Sequence, residues 1–99
     1  MNKARRRELT VLSNEVSRAK TKDDILACIS ILENIRDDEQ YYFDNIPENL
    51  QYSQRAEDSE QAIEYMEDAL QVLEEVYDMD DIDEELVEEA ADLIDDASL

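Results

Sequence analysis

Residues Ser59 to Tyr77 read Ser-Glu-Gln-Ala-Ile-Glu-Tyr-Met-Glu-Asp-Ala-Leu-Gln-Val-Leu-Glu-Glu-Val-Tyr. Ser59, Ile63, Met66, Leu70, Leu73 and Tyr77 recur at intervals of four, three, four, three and four. A helix of 3.6 residues per turn puts such positions on one face, so the stretch is a heptad seam of about three repeats. Ala62, Ala69 and Val76 lie beside the seam, and six of the other ten residues are acidic. Ser53 is a candidate N-cap for this helix, because its hydroxyl can accept from an otherwise orphaned N–H in the first turn.

Upstream, Ile25, Cys28, Ile29, Leu32, Ile35 and Tyr42 form a second stripe, widened by Leu26 and Ile31. This helix is expected to end near Phe43 or Asp44, with Asn45 as a capping residue. Pro47 disfavours helical geometry at Ile46 and can open a short turn over 47–50. Ile46 and Leu50 are then placed to fold back onto the core. Further upstream, Leu9, Leu12, Val16 and Ala19 give a third stripe. Thr21 followed by Asp24 resembles a capping box with Asp in the third position. Either a new helix starts there or one long helix runs through. Downstream, Asp78 to Asp81 breaks the pattern. A last stripe of Ile82, Leu86, Ala90, Leu93 and Ala97, flanked by Val87 and Ile94, follows a cap at Asp80 or Asp81.

The expected fold is all-α. It is an antiparallel helical hairpin extended to a three- or four-helix bundle with coiled-coil-like packing. One domain holds a basic N-terminal helix over 1–22, the hairpin over 22–77 and an acidic C-terminal helix over 78–99. Absence of glycine argues against tight hairpin turns and phosphate loops, which need positive φ. Thin helices in so short a chain leave apolar stripes that one copy does not fully cover, so a homodimer is expected.

The corner of the hairpin reads Asp38-Glu39-Gln40-Tyr41-Tyr42-Phe43-Asp44-Asn45-Ile46-Pro47-Glu48-Asn49-Leu50-Gln51, then Ser53 and Arg55. It resembles a family of short acidic proteins encoded by phages and mobile elements of Gram-positive bacteria. Their shared pattern is D-E-Q, an aromatic, then D-N-[IL]-P-E-[NS]-L-Q-x-S-x-R and a Glu-rich amphipathic helix. The likeness spans residues 33–77; the spacer at 20–24 and the tail after Asp78 depart from it. It implies a helical hairpin and a mobile-element origin, and carries no assigned activity. Physically, Asp44, Asn45, Pro47, Leu50 and Arg55 form a structural corner, with Arg55 expected to pair with Asp44 or Glu39.

Charge separates sharply along the chain. Residues 1–22 hold seven of the nine basic groups and two acids, a net +5; residues 23–99 hold two basic groups and 27 acids, a net −25. No positive charge follows Arg55. Such a field repels nucleic acid and attracts basic proteins. The Arg5-Arg6-Arg7 cluster is expected to contact acids or solvent, with nucleic acid as the lesser alternative.

Histidine is absent, which removes the commonest general base and metal ligand. Cys28 has no partner for a disulfide and sits on an apolar stripe, as a buried small hydrophobe would. The acidic run from Asp78 lacks the Gly and the ligand order of a calcium loop. No catalytic residues, metal or cofactor are therefore expected. No apolar run reaches membrane length, and the basic start has no apolar core behind it, so a cytoplasmic location in a bacterial host is expected.

The functional expectation is an inhibitor of DNA-mimic type. Glu64, Glu67, Asp68, Glu74, Glu75, Asp81, Glu85 and Glu88 are its candidate contact residues. Carboxylates three or four apart on a helix lie about 5–6 Å from each other. DNA presents one charge per about 1.7 Å of axis. Acidic helices from two sides approach that density, so the expected partner is a basic host or defence protein, without direct nucleic-acid or membrane binding. Tyr41, Tyr52 and Tyr65 are candidate anchors. The alternative is a scaffolding module in which the seam Ile63-Met66-Leu70-Leu73 binds a partner helix.

Overall fold

The computed structural model describes residues 1–99 as four helices: α1 (Lys3–Ser17), α2 (Lys22–Asp44), α3 (Gln54–Asp78) and α4 (Glu84–Ala97), with a 3-10 turn over Glu48–Leu50 between α2 and α3. No helix is long and apolar enough to cross a membrane.

Each boundary has a local chemical cause. Asn2 opens α1 by accepting from the Arg5 N–H at 2.8 Å. The break between α1 and α2 is a full capping box. The Asp24 N–H donates to Thr21 Oγ1 at 3.1 Å, and Asp24 Oδ2 accepts from the N–H groups of Thr21 and Lys20 at 3.2 and 3.0 Å. Two helices therefore stand where one long helix was also conceivable. These bonds hold the Asp24 carboxyl below its ordinary value, the Lys20 N–H contributing most and that of Thr21 next. Asn45 closes α2, its side-chain amide donating to the Tyr41 carbonyl at 2.7 Å. Pro47 stands just before the 3-10 turn rather than inside it, with ψ of 144°. Ser53 caps α3, accepting from the Ala56 N–H at 3.2 Å.

The cap of α4 differs from expectation. Asp83, not Asp80 or Asp81, accepts from the N–H groups of Glu85 and Leu86 at 3.0 and 3.3 Å. Ile82 lies outside the helix, half-buried against the core. The inward face of α4 is consequently Val87, Ala90, Ala91, Ile94 and Ala97, while Leu86 and Leu93 are half-buried at its edge. The expected stripe is turned by about one residue because α4 packs against two helices, α1 and α3.

Packing contacts run α1 to α2, α2 to α3, α3 to α4 and α4 to α1. Neighbours run in opposite directions. Arg5 at the start of α1 meets Glu39 near the end of α2, and Glu39 meets Ser59 near the start of α3. Lys22, at the start of α2, stands over the ring of Tyr77 at the end of α3. Ser13 in mid-α1 donates to the Ala91 carbonyl in mid-α4 at 3.2 Å. The molecule is 48 Å long and about 20 Å across.

The core unites the stripes: Leu9, Leu12 and Val16 from α1; Ile25, Leu32 and Ile35 from α2; Met66, Leu73 and Val76 from α3; and Ile94 from α4, all at 2% exposure or less. Full burial of side chains of this size stabilises by about 1.5–3 kcal/mol each. Leu26 and Ile31, expected to widen the α2 stripe, are 45% and 40% exposed. They fall on the two flanks of the helix, Ile31 bordering a surface groove with Val11, Leu12 and Glu15 of α1.

Candidate functional site

The outer surfaces of α3 and α4 carry the candidate site. All nineteen carboxylates between Glu57 and Asp96 are exposed, including Glu64, Glu67, Asp68, Glu74, Glu75, Asp81, Glu85 and Glu88. None of the nineteen forms an ion pair; the three pairs in the molecule join Glu39 to the Met1 amine, Glu39 to Arg5, and Asp37 to Arg36. Glu64, Glu67, Asp68, Glu74 and Glu75 stand on α3 behind a fully occupied seam. Asp81 lies in the α3–α4 connection, and Glu85 and Glu88 on α4. The eight residues therefore form two adjoining strips rather than one row. Tyr65 is half-buried between them and the core.

The seam itself is closed. Ile63, Met66, Leu70 and Leu73 are at most 6% exposed, covered by this chain's own helices. A partner helix could reach them only by opening the fold. The central positions of the other stripes are likewise covered within one copy, while Leu26 and Ile31 stay 45% and 40% exposed.

The corner departs from expectation in two respects. Ile46 is buried, but Leu50 remains 45% exposed, with Tyr41 and Tyr52 at 74% and 93%. Leu50 closes the 3-10 turn and lines a surface groove with Tyr41, Tyr42, Ile46 and Arg55. Arg55 pairs with neither Asp44 nor Glu39. It is exposed, and Asp44 instead accepts from the Gln40 amide at 2.9 Å. Glu39 is fully buried and is reached from α1: Arg5 Nε donates to Oε1 at 2.7 Å, while Ser59 Oγ donates to Oε2 and the Met1 amine lies 3.8 Å from the same oxygen. The Arg5 guanidinium also lies 5.6 Å from the centre of the Tyr42 ring. Three helices thus converge on one carboxylate.

The signal for this node was present in the spacing. Ile25, Cys28, Leu32, Ile35 and Glu39 follow three, four, three and four, and Arg5, Leu9, Leu12 and Val16 follow four, three and four. A charged residue at an apolar register position marks a buried pair. Cys28 is buried and unpaired. Burial, with Glu15 and Asp24 nearby, pushes its thiol up to about 11, so almost no thiolate forms near neutrality. No group of three or more His, Cys, Asp or Glu side chains is placed to hold a metal ion.

No protein-family model, no curated protein and no solved structure matches the chain.

Proposed function

We propose that this chain is a non-enzymatic binding module. The outer carboxylates of α3 occupy the basic, nucleic-acid-binding surface of another protein, in the manner of a DNA mimic. In this reading the α2–α3 hairpin, completed to a four-helix bundle with coiled-coil-like packing, is a rigid rod that holds the charges at fixed spacing. The observation that carries it is the unpaired acidic surface: nineteen exposed carboxylates on α3, α4 and their connection, none in an ion pair and with no cation in that stretch of chain. A net charge of about 2–8 is ample for the solubility of a small domain. The excess, arranged on one side of a covered core, favours a basic partner. The corner string supports a phage or mobile-element origin and hence a host or defence protein as target, met in the bacterial cytoplasm.

The covered seam, at most 6% exposed, favours this reading over the scaffolding alternative. The test is the variant in which Glu64, Glu67 and Glu74, Glu75 become Gln and Asp68 becomes Asn. The wild type, immobilised, should retain a basic nucleic-acid-binding protein from Gram-positive lysate at low salt and release it as salt rises. The five-site variant should keep its helical content and lose that protein. Equal capture by both, with the same salt dependence, would refute the reading.

A further inference from the structure

The hairpin corner holds three side chains that the fold itself does not use. Tyr41 and Leu50 are 74% and 45% exposed, and Arg55 is exposed and outside every ion pair of the molecule. All three line one surface groove of about 440 Å³ where α2 ends and α3 begins, together with Asp38, Ile46 and Pro47. Asp38 is likewise exposed and unpaired. The groove therefore holds a carboxylate from α2 and a guanidinium from α3 that do not neutralise each other. Its remaining charge, Arg5, is already taken by the buried Glu39.

This pairing of signs selects the occupant. An anion drawn to Arg55 is opposed by Asp38, and a cation drawn to Asp38 is opposed by Arg55. A surface that offers both signs satisfies both, and a second copy does so by symmetry. We propose that the groove is the contact of a homodimer, docked corner to corner about a twofold axis. Arg55 of each copy meets Asp38 of the other, and the exposed Tyr41 and Leu50 fill the facing groove. Such an isologous contact is self-complementary and closes at two copies. Tyr and Arg are also the residue types that anchor interfaces most often.

Each copy carries a net charge of −20, so the two repel at long range. At physiological ionic strength the screening length is about 8 Å, and only charges near the contact oppose it strongly. Asp44 and Glu48 flank the corner in sequence, but neither lines the groove. The contact is small, at the low end of interface sizes, and the dimer is weak. Glu64, the first of the five α3 carboxylates tested above, is nine residues beyond Arg55. That is about 14 Å along the helix. The contact does not use those carboxylates, and so it does not rest on the function proposed above.

Sedimentation equilibrium at physiological ionic strength tests the proposal. The wild type should dimerise with rising concentration. Arg55→Glu and Asp38→Lys each set like charges face to face, and each should weaken the dimer by about tenfold or more while keeping wild-type helical content. An equimolar mixture of the two variants should restore it, because both contacts of the mixed pair are again opposite in sign. Tyr41→Ser/Leu50→Ser should also weaken it, whereas Leu26→Ala, at an exposed position twelve residues before Asp38, should not. Arg55→Gln gives the same direction with a smaller effect if a reversal disturbs folding. A wild type that stays monomeric throughout overturns the proposal. So does a dimer that the groove variants retain, or a mixture that fails to recover. A monomeric wild type whose capture of a basic protein from Gram-positive lysate is lost in Tyr41→Ser/Leu50→Ser would overturn it and assign the groove to that partner.

Discussion

A carboxylate without solvent must find its partners inside the protein, and Glu39 finds them on two other helices, at Arg5 and Ser59. Removing one partner of a buried pair leaves the other charge desolvated and alone, which costs about 3–5 kcal/mol. Glu39→Ala is expected to lose stability of that size in denaturant titration. Arg55→Ala, at an exposed cation without a partner, should stay within about 0.5 kcal/mol. Replacing the pair together, Arg5→Met with Glu39→Leu, should recover most of the loss, since hydrophobic substitutes for buried ion pairs are often neutral or better. Asp24 is an exposed acid held by backbone donors. Its carboxyl is held below the ordinary 3.8 by the N–H groups of Lys20 and Thr21. A lowered folded value means that its contribution is complete above that ordinary value and is lost as the pH falls below it. The stability gap between wild type and Asp24→Asn, followed by thermal melting, should therefore narrow below pH 3.8. Cys28, with its thiol near 11, should react with a thiol reagent at neutral pH only as fast as the fold opens.

At the scale of the helix, the α3 seam was legible because its central register positions, Ile63 to Leu73, are all apolar and its outward positions mostly acidic. The cap residues Thr21 and Ser53 were equally legible, since a hydroxyl or carboxylate before a periodic stretch has few other uses. Leu70→Ala should cost about 2–5 kcal/mol, with Leu73→Ala at the upper end because Leu73 is fully enclosed. Leu26→Ala, on an exposed flank of α2, should remain within about 0.5 kcal/mol. α4 was less legible. Leu86 with Val87, and Leu93 with Ile94, are adjacent apolar pairs, and periodicity alone does not choose between adjacent positions. The choice is made by α1 and α3, which are remote in sequence. The Arg5–Glu39 node was missed for a related reason: residue type suggested surface while register indicated interior, and only tertiary packing shows which prevails. At the candidate site, the exposure of the acidic residues was legible from their place opposite the stripes. Their division into an α3 strip and an α4 strip depends on the turn at Asp78 to Asp83.

For the whole molecule the governing quantity is a net charge of −20 on a rod 48 Å long. Self-repulsion opposes compaction and is screened by salt, so the melting temperature should rise between about 0.01 M and 0.1 M salt, as the Debye length falls from about 30 to 10 Å. A melting temperature that fell over this range would mean that ion pairs, and not repulsion, dominate the fold. Sustained repulsion of this size is unfavourable for folding, and the unpaired carboxylates of α3 and α4 are what an electrostatic partner would use. The measurement that bears most directly on that claim is competition between this protein and a short DNA duplex for the isolated basic partner at fixed salt. Mutually exclusive binding is the predicted result, with the duplex displacing the protein and the five-site α3 variant unable to displace the duplex. Simultaneous binding of the protein and the duplex to that partner, or displacement by the variant as effective as by the wild type, would contradict it.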